Sequence, residues 1–187
     1  MLRPGAMKGT NMKAFTIGFL GVAALVMVAP PVRAQDEDDV QEVIKEFQKG
    51  DPGMQAWFRD AYGYAVFPNV GKGALVVGGS HGDGLVYEQG KLIGKTSLTA
   101  VTVGLQAGGQ AFREVIFFKD KTALDDFTRG NFEFQGGLSA VALKEGVSKD
   151  LAYNKGVAVV TATKGGLMAE ASIGGQKFKY EPVKHDP

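Results

Sequence analysis

From Tyr62 onward, glycine interrupts the chain about every ten residues, and the runs between glycines are short and apolar or alternating. That punctuation is incompatible with long helices, because glycine costs a helix interior roughly 1 kcal/mol relative to alanine. It suits short strands joined by tight turns. The densest stretch is NVGKGALVVGGSHGDG, residues 69–84, with six glycines in sixteen residues. Strands are expected over 62–67, 73–78, 84–88, 92–96, 99–107 and 110–119, and again over 132–143, 157–163, 167–173 and 177–180. In 99–107 the period is two: Val101, Val103, Leu105 and Ala107 share one side, Thr102, Gly104 and Gln106 the other. Gln89-Gly90 is a hairpin-turn pair, and 145–154 reads as a polar loop.

Three segments carry the helical period instead. Val40, Val43, Ile44 and Phe47 fall at i, i+3, i+4 and i+7, with acidic residues at the end where the helix dipole is positive. Residues 35–39 before them read as a loose acidic terminus. Lys49-Gly50-Asp51-Pro52 ends this helix, and Pro52 opens a second through Met54, Trp57, Phe58 and Ala61. Asp120 is placed to cap a third over 121–129, with Ala123, Leu124 and Phe127 as its buried stripe. Two N-terminal helices followed by mostly antiparallel strands with one inserted helix predict an α+β domain. Its glycine-rich sheet is expected to be a meander that curls towards a barrel.

The first 34 residues are set apart from that domain. Arg3, Lys8 and Lys13 precede an apolar run over 14–29, and Val32-Arg33-Ala34 places small residues where a leader is cut. The run is shorter than the ~20 residues of a membrane span. The reading is a signal peptide over 1–34 and a single domain over 35–187, periplasmic or secreted; a retained anchor is the alternative, and Met7 and Met12 leave the start open. Taking away Arg3, Lys8, Lys13 and Arg33, with no acidic residue among the first 34, leaves 17 Lys and Arg against 20 Asp and Glu, a net of −3. Such a balance does not suit sequence-blind nucleic-acid binding, which rests on a strong basic excess. The chain has no cysteine, so disulfides and thiolate chemistry are excluded.

Tests for chemistry are negative. GKLIGKTS, residues 90–97, mimics a phosphate-binding loop, but the glycine needed five residues before Gly94 is Gln89, and the segment runs into a β-patterned stretch rather than a helix. The glycines of 69–84 contain no dinucleotide fingerprint. His81 and His185 are the only histidines, and His81 with Asp83 offers a metal two ligands at most. There is no Gly-x-Ser-x-Gly nucleophile. Neither a cofactor nor a metal nor an enzymatic activity is expected.

Several blocks, taken in order, resemble the SYLF domain family. They are VIKEF (43–47), AYGYAVFP (61–68) running into Gly71-Lys72-Gly73, GGSHGDG (78–84), GLQAGGQ (104–110) before the apolar 115–118, and KGGLMAEASIGG (164–175). The resemblance covers about residues 40–180 and implies a non-enzymatic lipid-binding domain: phosphoinositides in eukaryotic members, actin-related roles in fungal ones. It places the membrane contact on the N-terminal amphipathic helix and nearby basic residues. Carried onto this chain, that gives a phospholipid membrane surface as partner, Ile44 and Phe47 with Trp57 and Phe58 as apolar anchors, and Lys45, Lys49, Lys72 and Lys164 at the headgroups. The leading edge of the helix here is acidic, Asp36-Glu37-Asp38-Asp39. The alternative is an envelope structural or protein-interaction domain without a lipid ligand.

Overall fold

The computed structural model describes residues 34–72, 79–101, 111–134, 139–163, 171–172 and 175–183. The expected leader, the strands at 73–78 and 102–107, the glycine block at 104–110, Lys164 and the side chain of Lys72 lie outside the described residues. Helix α1 (Ala34–Gly50) and helix α2 (Met54–Asp60) come first. They are followed by β1 (Gly63–Lys72), β2 (Gly79–Glu88), β3 (Lys91–Val101), β4 (Phe112–Phe118) and α3 (Lys121–Thr128). Then come β5 (Asn131–Glu133), β6 (Ser139–Ala142), α4 (Val147–Asp150), β7 (Val157–Thr163), β8 (Ala171–Ser172) and β9 (Gln176–Pro182). The α+β class expected from the periodicities is what forms, with a curled, mostly antiparallel sheet.

The strands run in the order β5-β9-β3-β2-β1-β4-β7-β6-β8. Among the described residues only β6 against β7 is parallel. The first three strands are a meander, as their spacing predicts. Thereafter the chain departs from it: β4 pairs on the far side of β1, and β9 returns to β3. The core strand β1 is therefore central, and both of its faces are buried. Tyr64 and Val66 point one way with Leu85, Tyr87, Val115, Phe117 and Val160, into a cluster sealed by α1 and α2. Ala65 and Phe67 point the other way with Val86, Ile116, Phe118 and Val159, into a cluster that takes in α3. Burial on both faces explains why AVF, VIFF and VAVV are continuously apolar rather than alternating. Pro68 has no N–H for the ladder, and the pairing of β1 slips on both sides at this point, between Val66 and Gly71 and between Phe67 and Val70.

Local signals hold where side-chain chemistry is explicit. Asp120 accepts a hydrogen bond from the Ala123 N–H at 3.0 Å, and Ala123, Leu124 and Phe127 are buried. Gln89 and Gly90 have φ of 48° and 77°, the left-handed pair that a two-residue hairpin requires. Elsewhere the structure differs from expectation. Residues 35–39 are helical, their acidic side chains favoured at the positive end of the helix dipole. The expected break between 96 and 99 is absent, so β3 runs unbroken through Gly94. The expected strand over 132–143 is two strands on distant parts of the sheet, β5 on β9 and β6 on β7. The polar loop holds the single turn α4. Asp51 ties that turn down, accepting from the Gly53 N–H at 3.0 Å and the Ser148 N–H at 2.7 Å. These bonds, with the Ser148 hydroxyl as the largest cause, hold the Asp51 carboxyl below its ordinary range.

Candidate functional site

The apolar stripe of α1 is turned wholly inward. Val40, Val43, Ile44 and Phe47 are buried beneath the helix, against the face of the sheet that carries Tyr64, Leu85 and Val115. Ile44 and Phe47 therefore form part of the core, and as the chain is folded here neither can reach a membrane. The amphipathic pattern that suggested a lipid contact has the same period as one that packs a sheet, and the sheet occupies it. The basic positions differ: Lys45 and Lys49 are exposed, one turn apart near the C-terminal end of α1. Arg113 reaches the same helix from β4, 2.5 Å from Glu46 and 3.7 Å from Glu42.

Helix α2 meets α1 at this end. Its Trp57 and Phe58 are half-buried against Phe117, Trp57 tilted at 5.5 Å between ring centroids and Phe58 edge-on at 5.0 Å. Phe58 also meets Tyr64 edge-on at 5.3 Å, and Trp57 lies 4.9 Å from Tyr153. The Trp57 indole N–H donates to the Ser148 carbonyl at 3.1 Å. Each ring thus packs α2 onto the sheet with one part and leaves another part to solvent, as rings at a water–apolar boundary do. Of the expected site residues, Lys45 and Lys49 are exposed on α1, Trp57 and Phe58 are part-exposed on α2, which packs against α1, and Ile44 and Phe47 are buried in the core.

The opposite end of α1 borders a groove of about 660 Å³ that sequence reasoning missed. Asp36 and Asp39 line it from the helix, His81 and Asp83 from β2, Lys95 from β3, and Lys179 and Glu181 from β9. Lys95 Nζ lies 3.3 Å from Asp36, and His81 Nε2 lies 3.5 Å from Asp83. The groove unites residues more than 140 positions apart, which no local spacing reveals. Its lining is mixed in sign, with four carboxylates against two lysines and a histidine. Among the described residues no group of three or more metal-type side chains converges. Lys95 and Thr96 of the false phosphate loop sit in mid-strand, paired to Leu85 and Gly84 across β2. That extended backbone cannot wrap a phosphate.

The strongest perturbations among titratable groups come from burial. Tyr87 is pushed up to about 12, first by burial and then by Tyr64. Glu114, on β4, is raised to about 7 by burial, only partly opposed by a hydrogen bond from Gln176. No helix among the described residues is long and apolar enough to cross a membrane.

A curled, mostly antiparallel sheet with helices packed on both faces makes this an α+β domain. Comparison with known proteins places it within a family. The model of Ysc84, described as the Las17-binding protein actin regulator, matches residues 99–182, and the chain is accordingly assigned to the SYLF family that its sequence blocks resemble. Beta cell expansion factor A of Aeromonas veronii is 33% identical over 129 residues, which is 68% of this chain and 49% of that protein. The chain spans about half the length of that relative.

Proposed function

We propose that this chain is an exported, non-enzymatic module that associates with phospholipid membranes through the corner where α1 meets α2. The observation that carries the proposal is the part-exposure of Trp57 and Phe58 on α2, the helix that packs against α1, while α1 exposes Lys45 and Lys49 and the remaining apolar candidates are sealed in the core. Helix α1 is polarised, with Asp36 and Glu37 in its first turn and Lys49 in its last. An anionic surface would orient it lysine end first, at about 1 kcal/mol per lysine near the membrane. The family match supports lipid association, and the succession of charged, apolar and small residues over 1–34 supports export. A protein-interaction domain is the second reading, favoured by the net negative charge of residues 35–187.

Trp57 is the only tryptophan, so its emission reports this corner alone. On titration with anionic vesicles, the emission should shift to the blue and be quenched by lipids brominated near the headgroup, and salt should weaken the effect. Lys45→Glu with Lys49→Glu should weaken binding in a protein with an unchanged melting temperature. Co-sedimentation with no change in Trp57 emission would move the contact elsewhere, and no co-sedimentation at any lipid composition would end the lipid reading.

A further inference from the structure

Inside the curl of the sheet, a carboxyl group is buried among aromatic rings. Glu114 sits on β4 between Phe112 and Ile116, on the face shared with Phe67 and Phe178, and none of it reaches solvent. Its Oε2 accepts a hydrogen bond from Gln176 Nε2 at 3.0 Å. Gln176 is itself buried and opens β9. In the sheet order β9-β3-β2-β1-β4, these two strands stand four places apart. The bond therefore spans the hollow of the sheet instead of running along a ladder.

The polar groups here are incompletely paired. Glu114 Oε1, Gln176 Oε1 and the hydroxyl of Thr161, the cross-strand neighbour of Glu114 on β7, are buried with no hydrogen-bond partner among the described residues. From β1 the residue opposite Glu114 is Phe67. No charged side chain among the described residues faces the carboxyl from β1, β7 or β9: Arg113 lies on the other face with α1, and Lys177, Lys179 and Glu181 are exposed on the outer side of β9. Among the described residues, an ionised carboxylate at this place finds one amide donor and no counter-ion.

We propose that Glu114 and Gln176 form a proton-operated clasp: neutral Glu114 keeps β9 closed over the aromatic interior, and its ionisation releases β9 from the inner wall of the sheet. The physical basis is asymmetric solvation. A neutral carboxyl with one good hydrogen bond is tolerable in a dry interior, whereas a lone carboxylate is not, and water reaches it only if the curl opens. Because burial raises the Glu114 pKa to about 7 in the closed state, protonation and closure are linked. The closed form binds the proton more tightly than an open, hydrated form, so closure is favoured at low pH and weakens as pH rises. The weakening ends once pH exceeds the closed-state value.

Amide hydrogen exchange on the full chain tests the clasp. After correction for the intrinsic pH dependence of exchange, the opening constant read from the β9 amides should rise about tenfold per pH unit between roughly pH 5 and 7 and then level off. In Glu114→Gln it should be independent of pH. The carboxyl ¹³C resonance of Glu114 in the wild-type protein supplies a second measurement that does not depend on the variant folding: its titration midpoint should coincide with the levelling of β9 opening. A midpoint near 4.5, β9 protection independent of pH in the wild type, or the same pH dependence in Glu114→Gln would each overturn the proposal.

Discussion

Phe67 and Phe178 approach to 5.7 Å between ring centroids, although β2 and β3 lie between their strands. Three strand spacings on a flat sheet amount to roughly 14 Å, so side chains standing perpendicular to such a sheet would not meet. The contact measures the curl directly. Phe178 also lies 5.1 Å from Phe127 of α3 and 5.1 Å from Phe134, and it is 2% exposed. It is the ring at which the edge of the sheet, its centre and the inserted helix converge.

Truncating that ring should accordingly be among the most damaging single changes. Phe178→Ala is expected to destabilise the domain by about 3–5 kcal/mol, the range for a buried Phe whose cavity cannot collapse. Phe132, which is only half-buried and touches the same cluster from its rim, should cost clearly less when truncated. Urea denaturation of both variants checks the ranking; equal losses would show that the curl does not depend on Phe178.

Gly84 offers a test of close packing. A Cβ built there would stand 2.5 Å from the Val66 carbonyl oxygen and 2.8 Å from the Phe67 ring, neither of which can move without disturbing the central strand. Gly84→Ala should destabilise by roughly 1–3 kcal/mol through overpacking. At Gly90 a Cβ would meet nothing within 4 Å, and the difficulty is instead the φ of 77°. Gly90→Asn should then be better tolerated than Gly90→Val, because Asn adopts left-handed backbone readily and a β-branched residue does not. Thermal melts of the three variants distinguish steric crowding from backbone strain.

Much of this architecture was legible because the decisive signals are local. The Asp120 cap, the Gln89-Gly90 hairpin and the Val40–Phe47 stripe each follow from a few adjacent residues, and each appears in the structure. What the stripe faces was not legible: period 3.6 says that one side is apolar, and tertiary packing alone decides that it meets Tyr64 and Val115 rather than lipid. Strand order failed for a related reason. The pairing of β9 with β3 joins segments nearly eighty residues apart, and neither run carries a mark of its partner. The Asp36–Lys95 groove depends on that same return of the chain. Glu114 was hidden because the charged pair Arg113-Glu114 inside FREVIFF reads as a solvated point of the strand, whereas β4 is buried on both faces and neighbouring residues point to opposite ones.

The buried carboxyl has a consequence for overall stability as well as for local opening. The Glu114 pKa stands at about 7 in the folded protein against an ordinary 4.5. Folded chains therefore hold a proton that unfolded chains have lost between those values, and stability falls as pH rises through that window. At pH 8 the wild type bears the full cost of the buried charge. Glu114→Gln removes it and should be more stable there by on the order of 3 kcal/mol, at about 1.4 kcal/mol per pKa unit. At pH 4, where the carboxyl is neutral in both states, the difference should largely vanish. Denaturant midpoints at the two pH values decide the matter; a variant less stable at pH 8 than the wild type would mean that Glu114 is ionised and satisfied in the fold.

Membrane association can be separated from folding by choosing residues according to their burial. Phe47 is fully buried in the cluster under α1, so Phe47→Ser should unfold or strongly destabilise the domain, and any loss of vesicle binding that follows carries no information about the contact surface. Lys45 and Lys49 are exposed, so reversing their charge should leave the melting temperature within the small range usual for surface changes while reducing binding to anionic vesicles. The acidic end supplies the converse. Neutralising Glu37, Asp38 and Asp39 to Gln or Asn, with Asp36 left in its ion pair with Lys95, should strengthen binding to anionic vesicles, because it removes repulsion worth up to about 1 kcal/mol per charge near the surface. The size of that gain should shrink as salt rises and the Debye length contracts to ~8 Å at 0.15 M. Vesicle co-sedimentation across a salt series reads both changes. If reversing the two lysines leaves binding intact in a folded protein, the corner formed by α1 and α2 is only part of the scaffold, and the contact belongs to another face of the sheet.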